Sequence, residues 1–359
     1  MTVGPTDAPG FSIPSIPVGA QQAIDEINAA GGINGRQVEL ITCNDQNDPN
    51  VAAQCGKQAV DEGVVALVGG LSLFDLNILP ALQQAGIPWV GLTSSDSFDQ
   101  DGVYLFGGDG ASAFTGIGGA LAKEGCKNVA ILLSASAAPA NGPQIQAGVE
   151  AGGAKVVTTL NAPATGADWA PTVEAARKSG ADCIASGAGP PETGPLITAI
   201  NAGPPIQMAT ADGGLPDVVL AQLGSAADGV IAVSGYLPAS SDQGIVKQLG
   251  ATLKEKHPEV PYDQFAKSGY ASVKVVEQAT KGLDEITPAS VTKGLSGVVD
   301  FDTGLGPVID LSTPSTIPGY ERIFSPMIYE YVAKNGVYEL LHPDPMDMTP
   351  ALKLLSEGK

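Results

Sequence analysis

The chain has 359 residues, with 18 Lys and Arg against 38 Asp and Glu, a formal net charge of −20. That balance excludes nucleic acid or an anionic membrane surface as a partner, since both need a basic face. Hydrophobic residues at 43 % exclude a disordered chain, and at roughly 150 residues per domain the length suggests about two domains.

In chain order, Ala20, Ala23, Ile24 and Ile27 share one helical face, and Gly31-Gly32 stops that helix. Gln37 to Thr42 reads as a strand. Asp48-Pro49 is an N-cap with proline at the first helical position, so a helix runs to about Glu62. Val64 to Val68 reads as a buried strand, Leu76 to Ala85 as helix and Pro88 to Leu92 as strand. The alternation restarts after Gly110. Helices are expected at 112–124, 142–151, 168–178, 192–202 and 215–222, with strands at 128–133, 154–159, 181–186, 206–210 and 229–234. Helices follow over Gly244–Lys256 and Tyr262–Leu283, and Asn335-Gly336 marks a hairpin between Ser325–Val332 and Val337–Leu341. The fold class is therefore α/β, with two doubly wound parallel units. The longest uncharged stretch, Asn128 to Val149, holds Pro139 and Pro143 and does not read as a membrane span.

The four cysteines allow two pairs without crossing, Cys43 with Cys55 and Cys126 with Cys183. Disulfides there imply an oxidising compartment; the alternative is four buried thiols. No zinc-type spacing exists, and both histidines, His257 and His342, precede proline and read as surface residues. Asp45-Gln46-Asn47-Asp48 lacks the central Gly and distal Glu of a calcium loop and reads as a cap and turn. Phosphate-loop, dinucleotide, metalloprotease and nucleophile-elbow signatures are absent. Met1 is followed by TVGPTDAPG, which has no basic start and no apolar run, so the chain is expected to be cytoplasmic or a leader-processed form.

Two polar clusters follow strands, where open α/β sheets bind ligands: Ser72, and Thr93 with Ser94 and Ser95. Hydroxyls and helix N-terminal N–H groups can cradle a carboxylate without arginine, and this chain has only Arg36, Arg177 and Arg322. The same hydroxyls could instead cap the helices that follow.

The segment GAQQAIDEINAAGGINGRQVEL from Gly19 resembles the N-terminal signature of type I periplasmic solute-binding proteins, in particular the leucine/isoleucine/valine-binding branch. Similarity continues through Asp45–Pro49, Val64–Gly70 and AGIPWVGLTSS from Ala85. It resumes at NVAILL from Asn128, ADCIASGAGPPETG from Ala181, FAKSGYASVKVVEQA from Phe265 and VVDFDTG from Val298. The resemblance implies two α/β lobes joined by three crossings, with ligand in the cleft between them. The crossings fall near Gly107–Gly110, Tyr236–Ala239 and Ile323–Ser325. Lobe 1 is then 1–109 with 238–324, and lobe 2 is 110–237 with 325–359.

Residue by residue, the resemblance implies that Ser72, Thr93 and Ser95 hold a ligand carboxylate. It implies that Asp212 receives an ammonium and that Phe11 covers the ligand side chain. Asp212 reads alternatively as the N-cap of the next helix. Where the family carries two aromatic walls, this chain has Ala138 and Gly189, followed by Pro190. The site is then roomier, or filled by Tyr236 or Trp169, and a bulkier amino acid, an aromatic acid or an amide becomes as suitable as a small aliphatic one. Tyr270 and Trp89 read as core, and Trp169 as a packing residue at a helix start.

The expected role is an extracytoplasmic, periplasmic or surface-anchored, monomeric binding protein. It would deliver a small carboxylate to the membrane permease of an ABC importer, with no cofactor, no metal and no catalysis. The alternative is a cytoplasmic ligand sensor of the same fold. An enzyme would need a nucleophile–base pair, and the sequence offers none.

Overall fold

The computed structural model describes residues 1–8, 12–94, 96–134, 139–162 and 168–358. The chain divides into two compact units, 1–109 with 242–325 and 110–241 with 326–359.

The first unit opens with β1 (Thr2–Gly4) and α1 (Ser15–Ala29), whose Ile16, Ala20, Ala23, Ile24 and Ile27 are buried as the helical spacing requires. The expected strand at 37–42 is displaced: β2 covers only Thr42–Asn44. The Asn28 side chain takes both polar groups of Val38, accepting from its N–H at 2.8 Å and donating to its carbonyl at 2.9 Å. A side chain thus satisfies backbone that a ladder would have satisfied. α2 (Pro49–Asp61) is capped by Asp48, which accepts from the N–H groups of Asn50 and Val51. β3 (Leu67–Val68), α3 (Asp75–Ala85), β4 (Trp89–Val90) and β5 (Val103–Phe106) follow. β5 carries no signal beyond four apolar residues, too few for periodicity to mark.

The second unit then begins. It runs α4 (Gly110–Lys123), β6 (Asn128–Leu133), α5 (Asn141–Ala151), β7 (Lys155–Asn161), α6 (Ala170–Lys178), β8 (Cys183–Gly187), α7 (Pro190–Asn201), β9 (Gln207–Ala211), α8 (Asp217–Leu223) and β10 (Ile231–Ser234). The chain returns to the first unit with α9 (Gly244–Lys256), α10 (Gln264–Thr280), α11 (Pro288–Leu295) and β11 (Ile323–Ser325). It ends in the second unit with β12 (Met327–Lys334), β13 (Val337–Leu340), β14 (Met346–Asp347) and α12 (Thr349–Glu357). The turn between β12 and β13 has both central residues, Asn335 and Gly336, at positive φ, as a tight right-twisted hairpin needs.

In the first unit β1 pairs with β2, and β3, β4, β5 and β11 pair in that order, all parallel. Two further bonds join these ribbons, Val68 N–H to the Met1 carbonyl (2.8 Å) and Leu71 N–H to the Val3 carbonyl (3.3 Å). The order is therefore β2-β1-β3-β4-β5-β11. In the second unit it is β7-β6-β8-β9-β10, all parallel, extended by the antiparallel strands β12 and β13. Strand order reverses between β1 and β3, and again between β6 and β8. Ligands bind beyond the carboxyl ends of strands at such points.

Both cores are dry. α4 lays Ile117 and Leu121 on Val129, Ile131, Ile231 and Val233, all of them at most 3 % exposed. Burying each such side chain contributes about 1.5–3 kcal/mol. Trp89, Trp169 and Tyr270 are buried core residues, as expected. Disulfides join Cys43 to Cys55 (β2 to α2) and Cys126 to Cys183 (the approach to β6 with β8), so the four-thiol alternative is set aside.

Candidate functional site

At the carboxyl edge of the first sheet, the loops after β1 and β3 touch. Gly70 sits at φ 103°, and a Cβ there would stand 2.7 Å from the Val3 carbonyl, so only glycine closes this contact. Two residues on, Ser72 is buried. Its hydroxyl donates to Asp45 Oδ2 at 2.5 Å and accepts from the Phe74 N–H at 3.0 Å. Asp45, fully buried, uses its other oxygen for the Asn47 N–H. The acidic loop is thus a turn anchored to Ser72.

A matching pair follows β4. The Ser94 hydroxyl donates to Asp75 Oδ2 at 2.7 Å and accepts from the N–H groups of Asp96 and Ser97. Burial holds the Asp75 carboxyl above its usual range, and the hydroxyls of Ser94 and Ser97 oppose that rise. Thr93 is half-buried and its N–H donates to the Gly70 carbonyl at 2.9 Å, tying the ends of β3 and β4 together. Among the described residues the Thr93 hydroxyl has no hydrogen-bond partner, and the N–H groups of Ser72, Leu73 and Ser94 have no acceptor. Open donors therefore lie in the loops after β3 and β4, while the protons of the two serine hydroxyls are already committed to aspartates. Leu73 and Leu76, 55 % and 49 % exposed, stand at the same edge. No sequence pattern marked them, and none linked Asp45 or Asp75 to serines 27 and 19 residues away.

The carboxyl edge of the second sheet differs. Gly189 caps α7, whose first two residues, Pro190 and Pro191, have no N–H. The next two N–H groups, of Glu192 and Thr193, both go to the Gly189 carbonyl, and the Glu192 carboxylate takes the Gly189 N–H at 3.2 Å. This helix start has no spare donor and carries its own negative charge.

Asp212 opens a single 3₁₀ turn, Asp212–Gly214, directly after β9, and is half-buried. The turn is seated against the end of β8: a Cβ at Gly214 would stand 2.8 Å from the Ala188 carbonyl. The N-cap of α8 is Pro216 and α8 has no side-chain cap, so Asp212 does not cap that helix. Its charge faces two buried phenols, Tyr331 and Tyr338. Burial pushes both well above the usual tyrosine range, and Asp212 adds to the rise. The Tyr331 hydroxyl donates to the Tyr236 carbonyl and the Tyr338 hydroxyl to the Leu215 carbonyl at 2.6 Å. Tyr236 is itself only 3 % exposed. Phe11, Ser95 and Ala138 lie outside the described residues.

Residues 4–316 match the profile of the periplasmic binding protein family. The chain belongs to that family. Among curated relatives, the leucine-, isoleucine-, valine-, threonine- and alanine-binding protein of Pseudomonas aeruginosa is 25 % identical over 299 residues, 80 % of this chain and 78 % of that protein. Of solved structures, the branched-chain amino acid transporter substrate binding protein of Streptococcus pneumoniae, complexed with isoleucine, superposes with a TM-score of 0.76 at 19 % identity, covering 96 % of this chain and 99 % of that one. An ABC-transporter solute binding protein of Rhodopseudomonas palustris, complexed with 3,4-dihydroxybenzoic acid, gives 0.76 at 19 % identity, covering 96 % of each chain. As in those periplasmic binding proteins, the fold is a pair of α/β lobes, and this chain is a solute-binding protein. The family match stops before β11, so the β12–β13 hairpin and α12 lie beyond it. No helix among the described residues is long and apolar enough to cross a membrane.

Proposed function

We propose that the chain is the extracytoplasmic solute-binding component of an ABC importer and takes an amino acid or a closely related small carboxylate. The observation that carries this reading is the set of unoccupied donors at the ends of β3 and β4: the N–H groups of Ser72, Leu73 and Ser94 and the Thr93 hydroxyl. Backbone donors at strand ends suit a carboxylate and need no arginine. Ser72 and Ser94 serve chiefly through their main chain, because their hydroxyls brace the loops. Asp212 supplies the negative charge for an ammonium group, and the donor-free, Glu192-bearing start of α7 disfavours a second carboxylate there. Ligand bound to both edges would favour a closed form by its differential affinity, and the importer's permease would recognise that form.

A second reading concerns the ligand only. Gly189 brings no side chain to the position where the resemblance leads one to expect an aromatic wall, and the Rhodopseudomonas relative was solved with an aromatic acid. An aromatic carboxylate would use the same donors and ignore Asp212.

The test is a thermal-shift screen followed by calorimetry, on protein unfolded and refolded to strip bound ligand. The panel holds aliphatic amino acids, aromatic amino acids, aromatic acids and amides. A ligand at 100 times its Kd stabilises by about 2.7 kcal/mol. Shifts with amino acids, lost in Asp212→Asn, support the main reading. Shifts with aromatic acids alone, kept in Asp212→Asn, select the second. Shifts with amides but with no carboxylate overturn both.

A further inference from the structure

We infer that the second unit carries a transition-metal site of the zinc type, formed by Glu124, Glu330 and His342. One ligand atom from each of these residues lies within 4.8 Å of the other two. The three come from separate elements: Glu124 directly follows α4, Glu330 lies in β12, and His342 follows β13. The hairpin brings the last two together, since the Leu341 N–H donates to the Glu330 carbonyl at 2.8 Å. His342 Nε2 and Glu124 Oε1 are already 2.8 Å apart.

Glu330 is what separates this group from an ordinary surface cluster. It is 1 % exposed, and its Oε2 meets the Lys123 ammonium, but its Oε1 is buried and has no hydrogen-bond partner. A buried carboxylate oxygen without a donor carries an uncompensated desolvation cost, which a cation would offset. The charge balance also leaves room for one. Two carboxylates, Glu124 and Glu330, stand against one lysine, Lys123. Moreover, Glu124 stands at the C-terminal end of α4, where the helix dipole is itself negative and favours a cation.

One imidazole with two carboxylates is a donor set for zinc or its neighbours rather than for calcium or magnesium, which prefer all-oxygen shells. Tetrahedral zinc with bonds of about 2.0–2.2 Å places its ligand atoms roughly 3.3–3.6 Å apart, a spacing that lies between the 2.8 Å of the His342–Glu124 pair and the 4.8 Å that bounds the trio. Water would complete the shell, since Glu124 and His342 are both partly exposed. Glu124 directly follows α4, and Glu330 and His342 belong to the terminal hairpin, so the site would clamp that hairpin to α4.

The experiment is calorimetric titration of chelator-stripped, full-length protein with Zn(II), repeated in His342→Ala and Glu330→Gln. Binding of one zinc per chain is expected, with Mg(II) unable to compete. Each variant should weaken it by at least about tenfold, a loss that even an outer partner of a metal ligand can cause. His342 is partly exposed, so its variant keeps the fold even where Glu330→Gln does not. Absence of saturable zinc binding, or unchanged affinity in His342→Ala, overturns the proposal. The second result would assign the metal to the acidic surface at large.

Discussion

In the first unit five parallel strands run β2-β1-β3-β4-β5, and in the second β7-β6-β8-β9-β10, the same order with the same reversal point. Their carboxyl edges nevertheless differ in chemistry. The first leaves N–H donors open after β3 and β4 and turns its aspartates, Asp45 and Asp75, away onto serine hydroxyls. The second removes donors with Pro190 and Pro191, spends the next two on Gly189, and presents Asp212. Identical topology thus positions an edge without deciding its polarity. Two or three residues per loop decide that, through which N–H groups survive and where the carboxylates stand.

The largest expected effect breaks the comparison on the second edge. Asp212→Ala should cost an ammonium-bearing ligand roughly 2–5 kcal/mol of binding, the range for truncating one partner of a desolvated charge pair. Calorimetry on wild type and variant reads this, and equal affinities would show that Asp212 takes no part in holding the ligand. Next come the disulfides, which staple the two units over different loops, 12 and 57 residues apart in sequence. In the chain-entropy model, replacing both cysteines of a pair by alanine should cost about 3 kcal/mol for Cys43–Cys55 and about 4 kcal/mol for Cys126–Cys183. Urea titration should show the second pair mattering more, each loss being confined to its own unit.

A smaller contrast lies within the first edge. Ser72→Ala leaves Asp45 without its hydroxyl and should lower stability by about 1–3 kcal/mol while binding falls little. Thr93→Val should do the reverse, losing about 0.5–1.5 kcal/mol of binding with little change in the urea midpoint. Equal effects of both on binding would mean that the Ser72 hydroxyl turns to the ligand.

The smallest effect is in pH dependence. Asp75 has a raised carboxyl in the folded state, so its contribution to stability is complete below the unfolded value of 3.8 and is lost as pH rises through the folded value. Asp75→Asn should flatten that acid-side slope. Tyr331 and Tyr338 act at the other extreme: their contribution is intact below about pH 10 and falls as pH rises towards their elevated folded values. Circular dichroism against pH should therefore show the Asp75 effect on the acid side of the first unit and alkaline sensitivity in both units, since burial also raises Tyr262 and Tyr270 of the first.

Much of the fold was legible in the sequence because its signals are local. The Asp48-Pro49 cap, the Asn335-Gly336 turn and the apolar stripe of α1 each act within a few residues. β5 and the segment at 37–41 were not legible. One is four residues long, and the other was claimed by Asn28, ten residues from Val38. At the candidate site, the sequence marked Ser72, Thr93 and Ser94, because polar residues after buried strands stand out, and it marked Asp212 through the family resemblance. It could not mark what each does there. That depends on Asp45 reaching Ser72, on Asp75 reaching Ser94, and on Asp212 acting on the buried phenols of Tyr331 and Tyr338.

By itself, the sequence determined the alternation of strand and helix, the binding-protein resemblance, and which loops carry polar groups, since propensity, capping and strand burial are written in neighbouring residues. Only the tertiary structure decided which hydroxyls are committed, which N–H groups stay open, and how Glu124, Glu330 and His342 come together from distant segments. Hydrogen bonds saturate and buried charge must be compensated, so these outcomes depend on partners that the chain supplies only once it is folded.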